Sequence, residues 1–388
     1  MRRMMLLVGA LAVVLAGMVV AGCDKGGGSS GVTIGSPASA QGENKPCPRV
    51  GGWGDAPWRI CERKPCRPVA VGGTPWRICD LGAGLGPGSA EAINDREGIV
   101  GYMTDPDTGN GGPAVWQQAQ ITLLNNGGVA TAINDRGQVV GWNMEGTGFA
   151  EQSAFLWQNG KLTLLEFGTV NEATDINNRG QVVGTEDSSE AYWENPEAFL
   201  WQAGEKTSLG GLGGGGSYAS AINDRGQVVG ESKTASGVWH AFLWESGRMR
   251  DLGTLGGKKS AATSINERGE IVGTSTTQSG QTHAFLWQRS TMRDLGPLGG
   301  SDFGTRRERV PAINERGQVV GSTTVKDKDG HPVEHAFLWQ NGTMHDLGTL
   351  PGGGASGATA INNHNQIIGW ATTKTGQQRA VLWSLRNG

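Results

Sequence analysis

The run Ala312-Ile313-Asn314-Glu315-Arg316-Gly317-Gln318-Val319-Val320-Gly321 is one copy of a unit that recurs seven times along the 388-residue chain. Its Ile-Asn anchor stands at Ile93, Ile133, Ile176, Ile222, Ile265, Ile313 and Ile361, so successive copies lie 40 to 48 residues apart. A period in this range fixes the architecture before any single element is assigned. Each unit is one module that buries its apolar faces only against its neighbours.

Each copy reads as four short strands. The Ala-Ile-Asn strand leads through a turn such as Asn134-Asp135-Arg136-Gly137 into Gln138-Val139-Val140-Gly141. A third strand, Ala154-Phe155-Leu156-Trp157, passes through Gln158-Asn159-Gly160 into Leu162-Thr163-Leu164-Leu165. The turn residue is Gly137, Gly180, Gly226, Gly269, Gly317 or Asn365, residue types that accept a left-handed backbone, so the connection is a tight hairpin. In the first copy Glu97 holds that place and Gly98 follows, which predicts a bulged turn. The third strand is apolar on both faces, as a sheet covered on both faces must be. Four-stranded units of this period predict an all-β fold, a seven-bladed β-propeller.

Spacing separates the two faces of such a disc. From the Ile to the Gly that ends the second strand is 8 residues in every copy, and from Trp244 to Leu252 or Trp339 to Leu347 is also 8. The connections between second and third strands, and between one copy and the next, vary. Both constant turns fall on one face and both variable loops on the other, where function usually sits. The seventh copy stops short of a fourth strand at Gly388, while Trp76-Arg77-Ile78-Cys79-Asp80-Leu81-Gly82 precedes the first anchor and matches Met249-Arg250-Asp251-Leu252-Gly253. Residues 77–82 are therefore expected to pair with Ala380–Trp383 and close the ring, removing an exposed edge.

The Ile-Asn-Asp-Arg-Gly-Gln-Val-Val-Gly run resembles the bacterial HAF-repeat extracellular proteins. So do His240-Ala241-Phe242, His283-Ala284-Phe285, His335-Ala336-Phe337 and Asp251-Leu252-Gly253-Thr254-Leu255-Gly256-Gly257. The resemblance covers residues 77–388 and implies an exported repeat protein. It carries no activity with it.

The N-terminal quarter has a different character. Residues 1–22 read as a lipoprotein signal peptide: Arg2-Arg3, an apolar run from Met4 to Val20, then Val20-Ala21-Gly22-Cys23, which resembles a lipobox. Cleavage and acylation (palmitate among the chains) would make Cys23 the membrane-anchored N-terminus, on the periplasmic or cell-surface side of a bacterial membrane. Residues 23–46 are a Gly/Ser/Ala/Pro tether. Residues 47–76 form a Cys-rich lead-in. In it Cys47-Pro48-Arg49-Val50 through Trp58-Arg59-Ile60-Cys61 is echoed by Cys66-Arg67-Pro68-Val69 through Trp76-Arg77-Ile78-Cys79. An even count of Cys in an exported chain implies disulfides, and the duplication favours Cys47–Cys61 with Cys66–Cys79; zinc is the alternative. A net charge of −3 argues against a nucleic-acid partner.

Several residues are candidates for chemistry. After the second-strand Gly the aromatics are Tyr102, Trp142 and Trp370, in copies that become neighbours when the ring closes. With Trp193 and Trp239 in loops on the same face they predict an aromatic platform for sugar or peptide; packing between blades is the competing reading. Arg306, Arg307 and Arg309 in the longest loop, with Lys326 and Lys328 nearby, suggest an anionic-ligand patch or a solvated loop. The three HAF histidines invite a metal reading. Their recurrence at one blade position, where other copies carry Ser153, Glu197 and Arg379, favours structure, and no metal site is assigned. Asp105-Pro106-Asp107-Thr108-Gly109-Asn110 and Asp327-Lys328-Asp329-Gly330 hint at calcium without a completing acidic ligand, so no cofactor is expected. No nucleophile–base pair or paired carboxylates stand out, and no catalytic residue is assigned. These features predict a monomeric, non-catalytic binding module for envelope glycan or protein. A polysaccharide-active enzyme using the central funnel and an envelope scaffold are the alternatives.

Overall fold

The structure is a computed structural model that describes residues 58–60, 69–71, 75–82, 88–105, 109–117, 120–125, 127–144, 152–165, 170–187, 195–297, 311–327 and 329–385. Among these, no helix is long and apolar enough to cross a membrane. The lipobox, the tether, Cys47, Cys61, Cys66, Trp193 and the Arg306–Arg309 loop lie outside the described residues.

Seven antiparallel sheets make seven blades, in chain order around a ring. Blade 4 is representative: Gly213–Ile222 is innermost, followed outward by Val228–Thr234, Trp239–Glu245 and Arg248–Asp251. Blade 1 starts at Gly88, blade 2 at Val129, blade 3 at Val170, blade 5 at Gly256, blade 6 at Ala312 and blade 7 at Ser356. There is no single core. Seven apolar clusters sit between consecutive blades, the last joining blade 7 to blade 1. The alternation of the third strand builds them. Phe242 enters the cluster shared with blade 3, while Ala241 and Leu243 enter the one shared with blade 5. Phe155, Phe199, Phe242, Phe285 and Phe337 are all at most 1% exposed, each contributing roughly 1.5–3 kcal/mol by burial.

The constant spacing has a steric cause. In most blades the innermost strand slips register by one residue, for example between Ala219 and Ala221. This bulge pushes a carbonyl toward the glycine that ends the "Val-Val-Gly" run. A methyl group on Gly230 would lie 1.9 Å from Tyr218 O and 3.0 Å from the Phe242 ring. The bulged residue is a threonine in four blades, and it stitches to the next blade: Thr131 Oγ1 donates to Ala173 O at 2.8 Å and Thr359 Oγ1 to Ala90 O at 2.7 Å. Glu97 corrects the expectation of a bulged first turn. It adopts the left-handed backbone itself (φ 63°), and Asn94 N donates to Gly98 O at 3.0 Å, the bond that Asn134 N makes to Gln138 O in blade 2.

Ring closure follows the sequence expectation. Three N-terminal strands are β1 (Trp58–Ile60), β2 (Val69–Ala70) and β3 (Trp76–Asp80). β3 pairs antiparallel with Gln378–Leu385 and becomes the fourth strand of blade 7, with Ile78 opposite Trp383. Ile78 is 1% exposed and Trp383 fully buried. The lead-in also builds sheet: β2 lies outside β3, and β1 pairs with Gln120–Leu123 as a fifth strand of blade 1. The two copies of Trp-Arg-Ile thus extend two adjacent blades. Cys79 is buried and disulfide-bonded; its partner lies outside the described residues.

Candidate functional site

The innermost turns converge on the propeller axis and enclose a cavity of about 410 Å³ on the fixed-turn face. Its wall is built by the Ile-Asn anchor and the residue that follows. Each anchor asparagine is nearly buried and works in two directions. Asn223 Oδ1 accepts from Arg225 N and Gln227 N, at 3.1 and 3.0 Å, which holds its own turn. Asn223 Nδ2 donates to Gln227 Oε1 at 2.7 Å and to Asn266 O of the next blade at 3.1 Å. The bond to the next blade's carbonyl recurs seven times, at 2.8–3.2 Å, and runs without a gap around the ring.

A second ring lies beside the first. The residues after the anchors are Asp95, Asp135, Asn178, Asp224, Glu267, Glu315 and Asn363. Each one's side-chain oxygen accepts the backbone N–H of its counterpart in the preceding blade, at 2.6–2.9 Å, again closing the circle. Asn178 Nδ2 also bridges Asp135 Oδ2 and Asp224 Oδ2, and Asn363 Nδ2 reaches Asp95 Oδ2. Five carboxylates therefore face one cavity whose wall contains no Lys or Arg. Asp224, Glu267 and Glu315 are consecutive, with no amide between them. Burial pushes the Glu267 carboxyl up; the Asp224 backbone bond opposes this, and repulsion from Asp224 and Glu315 adds to it.

Next in each turn comes an exposed arginine, Arg96, Arg136, Arg179, Arg225, Arg268 and Arg316, replaced by His364 in blade 7. Neither ring was singled out in the sequence. The available signal was that the first position is always Asp, Asn or Glu and the second always Arg or His across seven copies.

On the variable-loop face the predicted residues are placed as follows. Trp142 is 9% exposed, between Val129 and Ala154 in its own sheet. Tyr102 and Trp370 are half-buried and lie over glycines of their own blades. An added Cβ would fall 1.8 Å from Tyr102 Oη at Gly111 and 2.6 Å from Trp370 Nε1 at Gly357. Trp239 is half-buried against Tyr218, with ring centres 5.3 Å apart and Lys233 Nζ 5.2 Å from the Trp239 ring.

The HAF histidines pair within their blades. His240 Nδ1 is 2.9 Å from Asp251 Oδ2, His283 Nδ1 2.8 Å from Asp294 Oδ2 and His335 Nδ1 2.9 Å from Asp346 Oδ2. Each aspartate also takes the N–H of the glycine two residues on, so His-Ala-Phe and Asp-Leu-Gly are two halves of one clasp between third and fourth strands. Burial would raise the Asp346 carboxyl, but the His335 ring, the Gly348 amide and the His335 charge together hold it below the ordinary carboxylate range. Asp327, Asp329 and His331 gather three exposed or half-buried ligand atoms at one loop tip. There Asp327 Oδ1 already accepts the backbone amides of Asp329 and His331, the bonding of an ordinary turn.

No protein-family model matches the sequence, and no curated protein matches it. In fold the chain is similar to the β-propeller domain of the Trilobed protease from Pyrococcus furiosus, described as having an open velcro topology (TM-score 0.54, 9% identity, 78% of this chain and 98% of that one). Similar in fold too are the BP39L lectin from Burkholderia pseudomallei (TM-score 0.47, 9% identity, 77% and 95% of the chains) and TolB from Acinetobacter baumannii (TM-score 0.43, 12% identity, 74% and 63%). At such identities the likeness is one of fold alone.

Proposed function

We propose that the chain is an exported, lipid-anchored propeller acting as a non-catalytic binding module, which takes envelope glycan or protein on its variable-loop face. One observation carries the reading: Tyr218, Trp239 and Lys233 form an aromatic group with a cation beside it at the variable-loop end of blade 4. A half-buried indole offers a flat apolar face for a sugar ring or a peptide side chain. The test is intrinsic Trp fluorescence of the protein titrated with envelope glycans and their fragments, beside Trp239→Ala and the pair Trp142→Ala, Trp370→Ala. Saturable quenching lost in Trp239→Ala, with circular dichroism unchanged, supports the site. Quenching that survives Trp239→Ala removes it.

A second reading rests on the five carboxylates at the axis. Convergent acids are what a polysaccharide-active enzyme needs, and Glu267, whose carboxyl burial raises above its ordinary value, would be the acid. Each carboxylate, however, spends an oxygen on a neighbouring backbone amide. Polysaccharide cleavage abolished by Glu267→Gln would favour the enzyme.

A further inference from the structure

The fixed-turn face carries charge that the fold does not require. At the position after the anchor, the duty shared by all seven blades is to accept one backbone N–H; Asp95, Asp135 and Asp224 also accept a neighbouring asparagine amide. Asn178 and Asn363 accept that N–H as well as the acids do, at 2.8 and 2.9 Å. The arginine that follows has even less to do. Arg268 pairs with Glu270, and Arg316 reaches Asn365 Oδ1 at 3.4 Å. Arg96, Arg136, Arg179 and Arg225 are exposed, and among the described residues their side chains make no hydrogen bond or ion pair. Four guanidinium forks, each with its donors unspent, stand on consecutive blades around one cavity. An unpaired guanidinium is suited to bidentate contact with a carboxylate.

The balance of charge restricts what can use them. Six arginines encircle five carboxylates, and Glu97 and Glu270 lie in the same turns, so these seven turns together sum to about −1. A surface of so little net charge has no long-range pull on a uniformly negative membrane or a linear polyanion, either of which would also meet the axial carboxylates. Only a partner with matching short-range charges gains here.

We infer that the fixed-turn face docks a protein whose contact surface sets acidic side chains against the arginines and a basic side chain over the axis. The arginines supply the attraction; the carboxylates select the pattern. This surface is separate from the aromatic group on the opposite face, and a chain holding one ligand on each face would act as an adaptor.

The test uses the full-length protein in detergent and two labelled pentapeptides, Glu-Glu-Lys-Glu-Glu and Glu-Glu-Glu-Glu-Glu, followed by fluorescence anisotropy. Anionic phosphatidylglycerol vesicles form a third arm. The Lys-centred peptide is expected to bind saturably and to beat the all-Glu peptide by about tenfold. Arg136→Gln with Arg179→Gln and Arg225→Gln should abolish binding of both with circular dichroism unchanged, since none of the three side chains makes a hydrogen bond or ion pair among the described residues. Asp224→Asn with Glu267→Gln should leave binding but erase the preference. Equal or stronger binding of the all-Glu peptide or the vesicles, binding that survives the triple Arg variant, or no saturable binding of the Lys-centred peptide would each overturn the inference.

Discussion

The two faces of this disc are built from the same seven modules and have opposite economies. On the fixed-turn face the innermost turns are paired from blade to blade through their anchor asparagines and the residues that follow, and only the outlying arginines stand apart. The anchor asparagines alone make a closed circle of buried hydrogen bonds. On the variable-loop face blade-to-blade bonds such as Ala241 N to Ser260 Oγ stay at the strand ends, and the loop tips beyond them bond locally. Turns such as Thr234 to Val238 and Thr277 to Gln281 close on themselves, and their hydroxyls bond within the loop. One face is a hoop that fixes the blades; the other is a set of independent tips. Such a division lets loops diverge at little cost in stability while the scaffold stays rigid.

That contrast can be broken at several points. The largest effect should come from opening the hoop both faces share: Ile78→Ala, in the closing strand, should lose about 2–5 kcal/mol of stability, read by urea unfolding. Asn223→Ala comes next. It removes two donated bonds and leaves the buried Asn266 carbonyl and two turn amides unanswered, for about 2–4 kcal/mol. Its counterpart on the other face, Ser236→Ala, should stay within about 0.5 kcal/mol. Comparable losses at the two sites would end the distinction.

Two carboxyls sharpen it through pH. The Asp346 carboxyl is lowered in the fold. Its contribution is present above its ordinary value of 3.8 and is lost as pH falls through the lower native value. Glu267 is raised, so its protonated form favours the fold below its ordinary value of 4.5, and that advantage is lost as pH rises through the native value. Asp346→Asn should therefore be less stable than the parent at pH 7, with the gap closing in acid, and Glu267→Gln more stable at pH 7, with its gap also closing in acid. Thermal melts at pH 2 and 7 decide this, and the same sign for both variants at pH 7 would refute it. Smallest of all is Glu315→Gln, expected within about 0.5 kcal/mol because it accepts only the Glu267 amide and the neutral Asn178 and Asn363 already make that bond in their own blades.

Much of this architecture was legible in the chain. Repetition at a fixed period, glycine at the turn, and a third strand apolar on both faces left few folds that bury those faces. The missing fourth strand and its spare copy at the front predicted the closure that β3 makes with Gln378–Leu385. The co-occurrence of His-Ala-Phe with Asp-Leu-Gly was visible, but not as one clasp. The site was less legible. The aromatic position after the second-strand glycine gave Tyr102 and Trp370 partners no spacing rule announces, the glycines they cover in their own sheets.

By itself the sequence determined the module, its number, its strand order and which turns share a face, because these follow from local backbone preference and from periodicity. Only the tertiary structure decided which side chains meet. Asp224, Glu267 and Glu315 are 43 and 48 residues apart along the chain, and they face one cavity because a ring converts a repeat in sequence into a circle in space. Burial and the repulsion from Asp224 and Glu315, which raise the Glu267 carboxyl, depend on distance through space and so had no counterpart in the linear pattern.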